Sequence, residues 1–176
     1  EAFWSIGISF YLDAVGFVYK TNPADEARAP SAREWRRTNE GLRRGCTAKG
    51  RKEGTTQLKF LVAIAHGKGV ILCKHYHGRL NGDALSRLIY KYFPSAFARS
   101  ANPQAKRFLQ DGDPVQNSKK AKRAIARIGA RIFRIPSRSP DMNPIENIFH
   151  NTSRLLREQA CLQAITTESR VDFCRR

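Results

Sequence analysis

The chain has 176 residues, enough for about one domain, and 41% of them are hydrophobic, so it can bury a core. Its 27% charged and 10% aromatic residues exclude a disordered composition, and no run approaches the roughly 18 consecutive apolar residues of a membrane span. The 32 Lys and Arg against 15 Asp and Glu give a net charge of +17, which favours a polyanionic partner, nucleic acid first; the basic runs are not the clean amphipathic helices of a membrane-surface protein.

The opening EAFWSIGISFYLD lacks the basic n-region of a signal peptide and reads as a strand. A start at Glu1 without Met leads us to expect a piece of a longer protein. Residues 4–13 alternate: Ile6, Ile8, Phe10 and Leu12 point to a core face, and Gly7, Ser9, Tyr11 and Asp13 to the other. Val15 to Tyr19 continue this strand across a hairpin. The stretch 21–56 is polar and aperiodic, with nine Lys or Arg between Arg28 and Lys52. A connection of that length inside a domain is usually functional or disordered, and Trp35 suggests that it docks onto something.

LKFLVAIAHG (58–67) and GVILCKHYHG (69–78) predict two strands joined by a tight turn at Gly67-Lys68-Gly69. Leu85, Leu88, Ile89 and Phe93 recur at helical spacing, predicting a helix over 82–93 that ends at Pro94. Residues 106–114 form a short strand running into a Gly/Pro turn. A helix follows over 117–129, capped by Asn117 or Ser118 and ended by Gly129. A strand over 130–136 stops at a proline, and a last helix runs from Pro144 to about Gln163. Strand-helix-strand units favour parallel neighbours and hairpins antiparallel ones. The expected fold is one α/β domain over 1–163, a mixed five-stranded sheet with helices on its faces, followed by a tail over 164–176.

Cys46, Cys73, Cys161 and Cys174 are far apart and form no CxxC pair, which argues against a zinc site or a disulfide framework and fits a reducing compartment. Cys73, His75 and His77 share one face of a strand. With no fourth ligand nearby, a half-buried strand face explains them better than a metal site.

Three acids fall at element ends, where open α/β sheets place their chemistry. Asp13 closes the first strand, Asp111 the fourth, and Glu146 lies in the first turn of the last helix. Each has a structural reading. Asp13, Asp111 and Asp113 suit turns. Asn143 as N-cap, Pro144 at N1 and Glu146 at N3 would make a capping box. Carboxylates converging from separate elements are, however, the usual means of holding Mg²⁺, which demands oxygen ligands.

PSRSPDMNPIENIF (136–149) resembles the block that closes the catalytic domain of mariner-type transposases, the Tc/mariner superfamily; its SPDxNPIE core matches eight positions in series. RFLQDGDPVQNS (107–118) is similar to the segment carrying that family's second catalytic Asp, and 34 residues separate Asp111 from Glu146, the Tc-like spacing. FYLDAVGF (10–17) matches the weaker first-Asp segment, and REWRRTNEGL (33–42) the loop that clamps a partner subunit. The resemblance covers about residues 4–160. Three positions depart from the family pattern. Ala14 stands where an acid often follows the first Asp, Gln116 where a His is common, and Phe149 where Trp is usual.

The resemblance implies an RNase H-like fold and a catalytic DDE triad of Asp13, Asp111 and Glu146. These would hold two Mg²⁺ ions, with Mn²⁺ able to substitute, for DNA strand cleavage and strand transfer: DNA transposition and integration. It implies DNA as partner, a homodimer through the 21–56 clamp with Trp35, Arg36 and Arg37, no membrane, and the nucleus as location. Lys119, Lys120, Lys122, Arg123, Arg127 and Arg138 belong to a basic run without an acid over 117–138 and are the candidate DNA contacts. Two rivals share these features: an inactive or domesticated DNA-binding remnant, and a nuclease of the same fold that cuts without joining.

Overall fold

The sheet is built from β1 (Phe10–Val18), β2 (Gln57–Ala65), β3 (Gly69–Tyr76), β4 (Arg107–Gln110) and β5 (Arg131–Arg134). Among the described residues four full helices accompany it: α1 (Gly82–Arg99), α2 (Lys119–Arg127), α3 (Ile145–Leu162) and α4 (Arg170–Arg175). The computed structural model describes residues 7–19, 57–136, 139 and 142–176. The predicted clamp loop, with Trp35, Arg36, Arg37 and Cys46, lies outside the described residues, as does Arg138.

The strand order is β3-β2-β1-β4-β5. β2 and β3 pair antiparallel, and β1–β4 and β4–β5 pair parallel, so the expected mixed five-stranded sheet is present. Gly67 and Gly69 take positive φ of 66° and 68° at the β2–β3 turn, a conformation that favours glycine.

β1 is the central strand, and both of its faces are buried. Phe10 and Leu12 enter a core with Leu85, Ile89, Phe93 and Phe97 of α1 and Ala121, Ala124 and Ile125 of α2. Tyr11 enters a second core with Leu109, Val62, and Ile145 and Phe149 of α3. The strand differs from its predicted course. It starts at Phe10 and runs straight to Val18 without a hairpin at Val15. Gly7 is helical and Ile8 and Ser9 lie outside the strand, although Ser9 N donates to Arg107 O at 2.6 Å at the start of β4.

α1 also overruns its predicted end, carrying Pro94 inside the helix as far as Arg99. A proline in a helix interior costs about 3 kcal/mol. Continuing the helix buries Ala96 and Phe97. Phe97 meets Phe10 at 4.7 Å between ring centroids, and Phe10 in turn lies 5.2 Å from Phe108 and 5.6 Å from Phe93. Burying one Phe is worth about 1.5–3 kcal/mol and each such ring pair about 0.5–1.5 more, enough to offset the proline.

α2 follows its predicted bounds closely. Ser118 Oγ accepts from Ala121 N at 3.3 Å as the N-cap. At the other end Gly129 (φ 68°) donates to Ala126 O and Ala130 N to Ile125 O, a Schellman closure. Asp83 at the start of α1 meets Lys120 of α2 at 2.6 Å, though both are exposed and the pair contributes little.

The chain divides into two compact units, residues 1–16 with 58–154, and residues 17–57 with 155–176. In the second, the predicted tail forms α4, capped by Ser169 Oγ accepting from Asp172 N at 3.2 Å. Arg176 donates to both Glu168 oxygens, at 2.8 and 3.3 Å, and to Leu156 O, and Phe173 packs on Tyr19.

α1 and α2 approach closely at Gly82, where a Cβ would stand 2.6 Å from Ser118 Oγ. Gly82→Ala should therefore lower stability by about 1–3 kcal/mol. Adding Ser118→Gly removes the obstructing atoms and costs only a few tenths as a cap. Urea unfolding of the double variant should recover most of the loss; if it does not, the contact is not the cause.

Candidate active site

Strand register brings the first two acids together. β1 and β4 run parallel with Phe10 opposite Phe108 and Tyr11 opposite Leu109. Continued two residues, that register sets Asp111 level with Asp13. β4 stops at Gln110 while β1 runs on to Val18, so Asp13 lies within β1 rather than at its end. Alternation gives Asp13 the side of Tyr11, the face covered by Ile145 and Phe149 of α3. Glu146 is the second residue of that helix.

The face of Asp13 is thus a second core and not an open surface; the residue is only 9% exposed. Its Oδ1 accepts from Ala14 N at 2.7 Å and from Gln116 Nε2 at 3.2 Å. Burial pushes its carboxyl up to about 7, and the charges of Asp111 and Glu146 push in the same direction against those two hydrogen bonds. Both other predicted acids therefore lie near enough to act on Asp13. Tyr76 is raised as well, by burial first and then by the charges of Asp113 and Asp13.

Asp111 begins a run of side-chain-to-backbone bonds. Its Oδ1 accepts from Asp113 N at 3.1 Å, and Asp113 Oδ1 accepts from Val115 N at 2.6 Å. The turn carries the chain to Gln116, which is 1% exposed and bonded to Asp13 across 103 residues of sequence. Gln116 was visible in the sequence only as an unusual residue five positions beyond Asp111; a buried amide had no signal there.

The expected capping box is not formed. Asn143 is 2% exposed, and both its side-chain Nδ2 and Oδ1 lack a partner. Its backbone oxygen still accepts from Glu146 N at 3.1 Å. Packing buries the amide before it can reach the helix terminus, so Glu146 is not held as half of a cap.

Three carboxylates supply the hard oxygen donors that Mg²⁺ takes, and the charge crowding at buried Asp13 is what a cation relieves. In kind and electrostatics the residues fit the ion. Among the described residues, no three His, Cys, Asp or Glu side chains are gathered into ligating distance; like charges spread unless a cation lies between them. The run Cys73, His75 and His77 forms no such group either. Cys73 and His75 on β3 and His77 just beyond it are exposed rather than half-buried, with the two imidazoles 4.4 Å apart edge to face. Cys73, Cys161 and Cys174 are free.

α2 presents Lys119, Lys120, Lys122, Arg123 and Arg127 outward while Ala121, Ala124 and Ile125 face the core. Lys120 is taken up by Asp83, which leaves the others as the open cations of the helix. No helix among the described residues is long and apolar enough to cross a membrane.

The fold is that of the RNase H-like catalytic domain of mariner-type transposases. The chain superposes on the catalytic domain of Mos1 mariner transposase with a TM-score of 0.59 at 12% identity, covering 98% of this chain and 75% of that one. It also matches the Mos1 paired-end complex with the left transposon end (0.57, 14% identity, 93% and 49% covered) and the Mos1 catalytic domain with raltegravir and Mg (0.56, 11% identity, 93% and 73% covered). In sequence it is 39% identical over 108 residues to the transposable element Tcb2 transposase of Caenorhabditis briggsae, covering 55% of this chain and 40% of the relative. No family model matches. Sequence and fold together support a mariner-type transposase, of which the chain spans less than half the length of the Tcb2 relative.

Asp13 should make stability depend on pH. Unfolded, it titrates near its ordinary value of about 4; folded, at about 7. Below pH ~4 both states are protonated and nothing is lost; as pH rises through about 7 the fold must ionise a buried carboxyl and loses stability. Asp13→Asn escapes that loss. In EDTA at pH 8 its urea midpoint should exceed that of the parent by an amount worth on the order of 1–4 kcal/mol, the difference vanishing near pH 4. Equal midpoints at pH 8 would mean that Asp13 is not under this stress.

Proposed function

We propose that the chain is the catalytic domain of a Tc/mariner DNA transposase, with Asp13, Asp111 and Glu146 as its metal-holding triad. The observation that carries this reading is that Asp111, just past the end of β4, and Glu146, at the start of α3, both act on the charge of Asp13 in the central strand β1. The SPDxNPIE block and the 34-residue Asp–Glu spacing point to the same residues independently.

Two divalent ions, Mg²⁺ or Mn²⁺, would supply Lewis-acid activation of the water or 3′-hydroxyl nucleophile and stabilise the leaving oxygen of an in-line phosphodiester displacement. The protein's part is to hold the carboxylates. β1 and β4 fix Asp13 and Asp111 at one level, and α3 brings Glu146 over them. Gln116 and the Ala14 N–H orient Asp13. Burial between α3 and the sheet limits water around Asp13. Lys119, Lys122, Arg123 and Arg127 offer phosphate contacts that set position without reading sequence. The structure of Mos1 titled as a paired-end complex with a transposon end is in keeping with DNA as the partner of this domain. Strand transfer after cleavage, a homodimer formed through residues 21–56 around Trp35, Arg36 and Arg37, and action in the nucleus complete the proposal.

Asp111→Asn should abolish Mg²⁺-dependent strand cleavage and leave DNA binding intact or slightly tighter, since one negative charge leaves the site. Cleavage at the parental rate would overturn the assignment, and Asp113 would be the next acid to replace. A parent chain that binds DNA without cleaving it would favour the inactive remnant, and one that cleaves but never joins a supplied 3′ end, the simple nuclease.

The basic helix is tested by salt. Affinity should fall with a log–log slope of about −0.9 per neutralised phosphate. Replacing Lys119, Lys122 and Arg123 by Gln should reduce that slope by up to about three units and weaken all DNA sequences alike. An unchanged slope would place the DNA path elsewhere.

A further inference from the structure

We propose that Gln116 is the positioning residue of Asp13, setting which carboxylate oxygen faces the bound cation; this rests on the reading of Asp13 as a metal ligand. The Asp13 side chain is buried in a strand and has two equivalent oxygens. Oδ1 is taken by Ala14 N at 2.7 Å and Gln116 Nε2 at 3.2 Å. Two donors on one oxygen fix the rotation of the carboxylate and leave Oδ2 as the oxygen that a hard cation meets.

Gln116 is itself held firmly. It is 1% exposed and follows the turn stabilised by Asp111 and Asp113. α2 begins three residues later, at Lys119, behind the Ser118 cap. One short segment therefore carries one acid of the triad and the orienter of another. The second amide atom of Gln116, Oε1, is buried with no hydrogen-bond partner. An unsatisfied buried carbonyl costs about 1–3 kcal/mol. Mg²⁺ retains several of its waters when it binds carboxylates, and such a water is a donor that Oε1 can accept from. The amide would thus hold Asp13 on one side and the hydration shell of the ion on the other.

The test measures Mn²⁺ binding to the full chain by electron paramagnetic resonance, with no DNA and no turnover. Four variants are compared with the parent: Asp13→Asn, Gln116→Met, Gln116→His and Gln116→Leu. Met matches Gln in shape, removes the donor and also removes the orphaned carbonyl, so the fold should persist in EDTA as judged by unfolding midpoint. Its Mn²⁺ dissociation constant should rise about 10-fold or more, the usual effect of losing an outer partner of a ligand. His returns a ring N–H donor and should restore affinity to within about threefold of the parent. A purely structural role would not give that rescue. If Gln116→Met fails to fold, Gln116→Leu and the His rescue decide the matter by the same readout. Parent-like affinity in a folded Met or Leu variant overturns the role of Gln116 alone. Parent-like affinity in Asp13→Asn, or no Mn²⁺ binding by the parent, overturns the metal-site reading beneath it.

Discussion

Everything at the candidate site depends on a carboxylate being buried at the centre of a sheet. β1 has a strand on either side and a core on either face, so any residue at position 13 is removed from water. An Asp there opposes its own ionisation, and two further acids intensify the opposition. The fold tolerates this because the cost is spread over a core whose aromatic centre, Phe10 with Phe93, Phe97 and Phe108, lies on the opposite face of the same strand. Phe10 in that aromatic cluster and the buried carboxyl of Asp13 are thus three residues apart on one strand. That placement works together with the two hydrogen bonds that Asp13 Oδ1 accepts, from Ala14 N and Gln116 Nε2.

The same logic explains the division of charge. A net charge of +17 favours a polyanionic partner, but the acids around Asp13 would repel one. Cations on α2 and carboxylates around Asp13 make sense together only if something positive intervenes at the acids. Lys and Arg cannot take that role here: the described Lys and Arg of α2 point outward, and Lys120 is engaged with Asp83. The divalent ion proposed above would reconcile an acidic centre with the proposed phosphate substrate, whereas a lysine brought inward would merely neutralise the acid.

What the sequence revealed and what it hid follow one physical rule. Periodicity read β2, β3 and α2 well because their burial is decided locally; the caps at Ser118 and Gly129 are where local chemistry puts them. Residues 93–99 were read as ending a helix because the reason they continue it is Phe10, more than 80 residues away in sequence. The acids were legible as a set, through their spacing and the motif around Glu146. Their environment was not. A period-2 pattern distinguishes two faces but cannot say that both are covered, so Asp13 read as facing outward. Gln116 was legible only as a departure, since what it does is decided by a hydrogen bond to the other end of the chain.

Asn143 shows how a local rule yields beside the candidate site. The sequence Asn-Pro-Ile-Glu offers a good capping box, and in a merely structural helix the Glu146 carboxylate would turn back to the Asn143 N–H. Here the Asn143 amide is buried without a partner at either atom. An amide left so costs several kilocalories at most, yet ordinary proteins avoid even that. The strain has a use. A cap would consume the carboxylate of Glu146, whereas the uncapped helix leaves it near enough to raise Asp13. Gln110, the residue before Asp111, also has a buried unpartnered amide nitrogen, and Gln116 has its unpartnered oxygen. Each acid of the triad is therefore accompanied by a buried amide that its surroundings do not satisfy. Among the described residues these unpartnered amides sit beside the three acids proposed to act together, the pattern expected where packing gives way to chemistry.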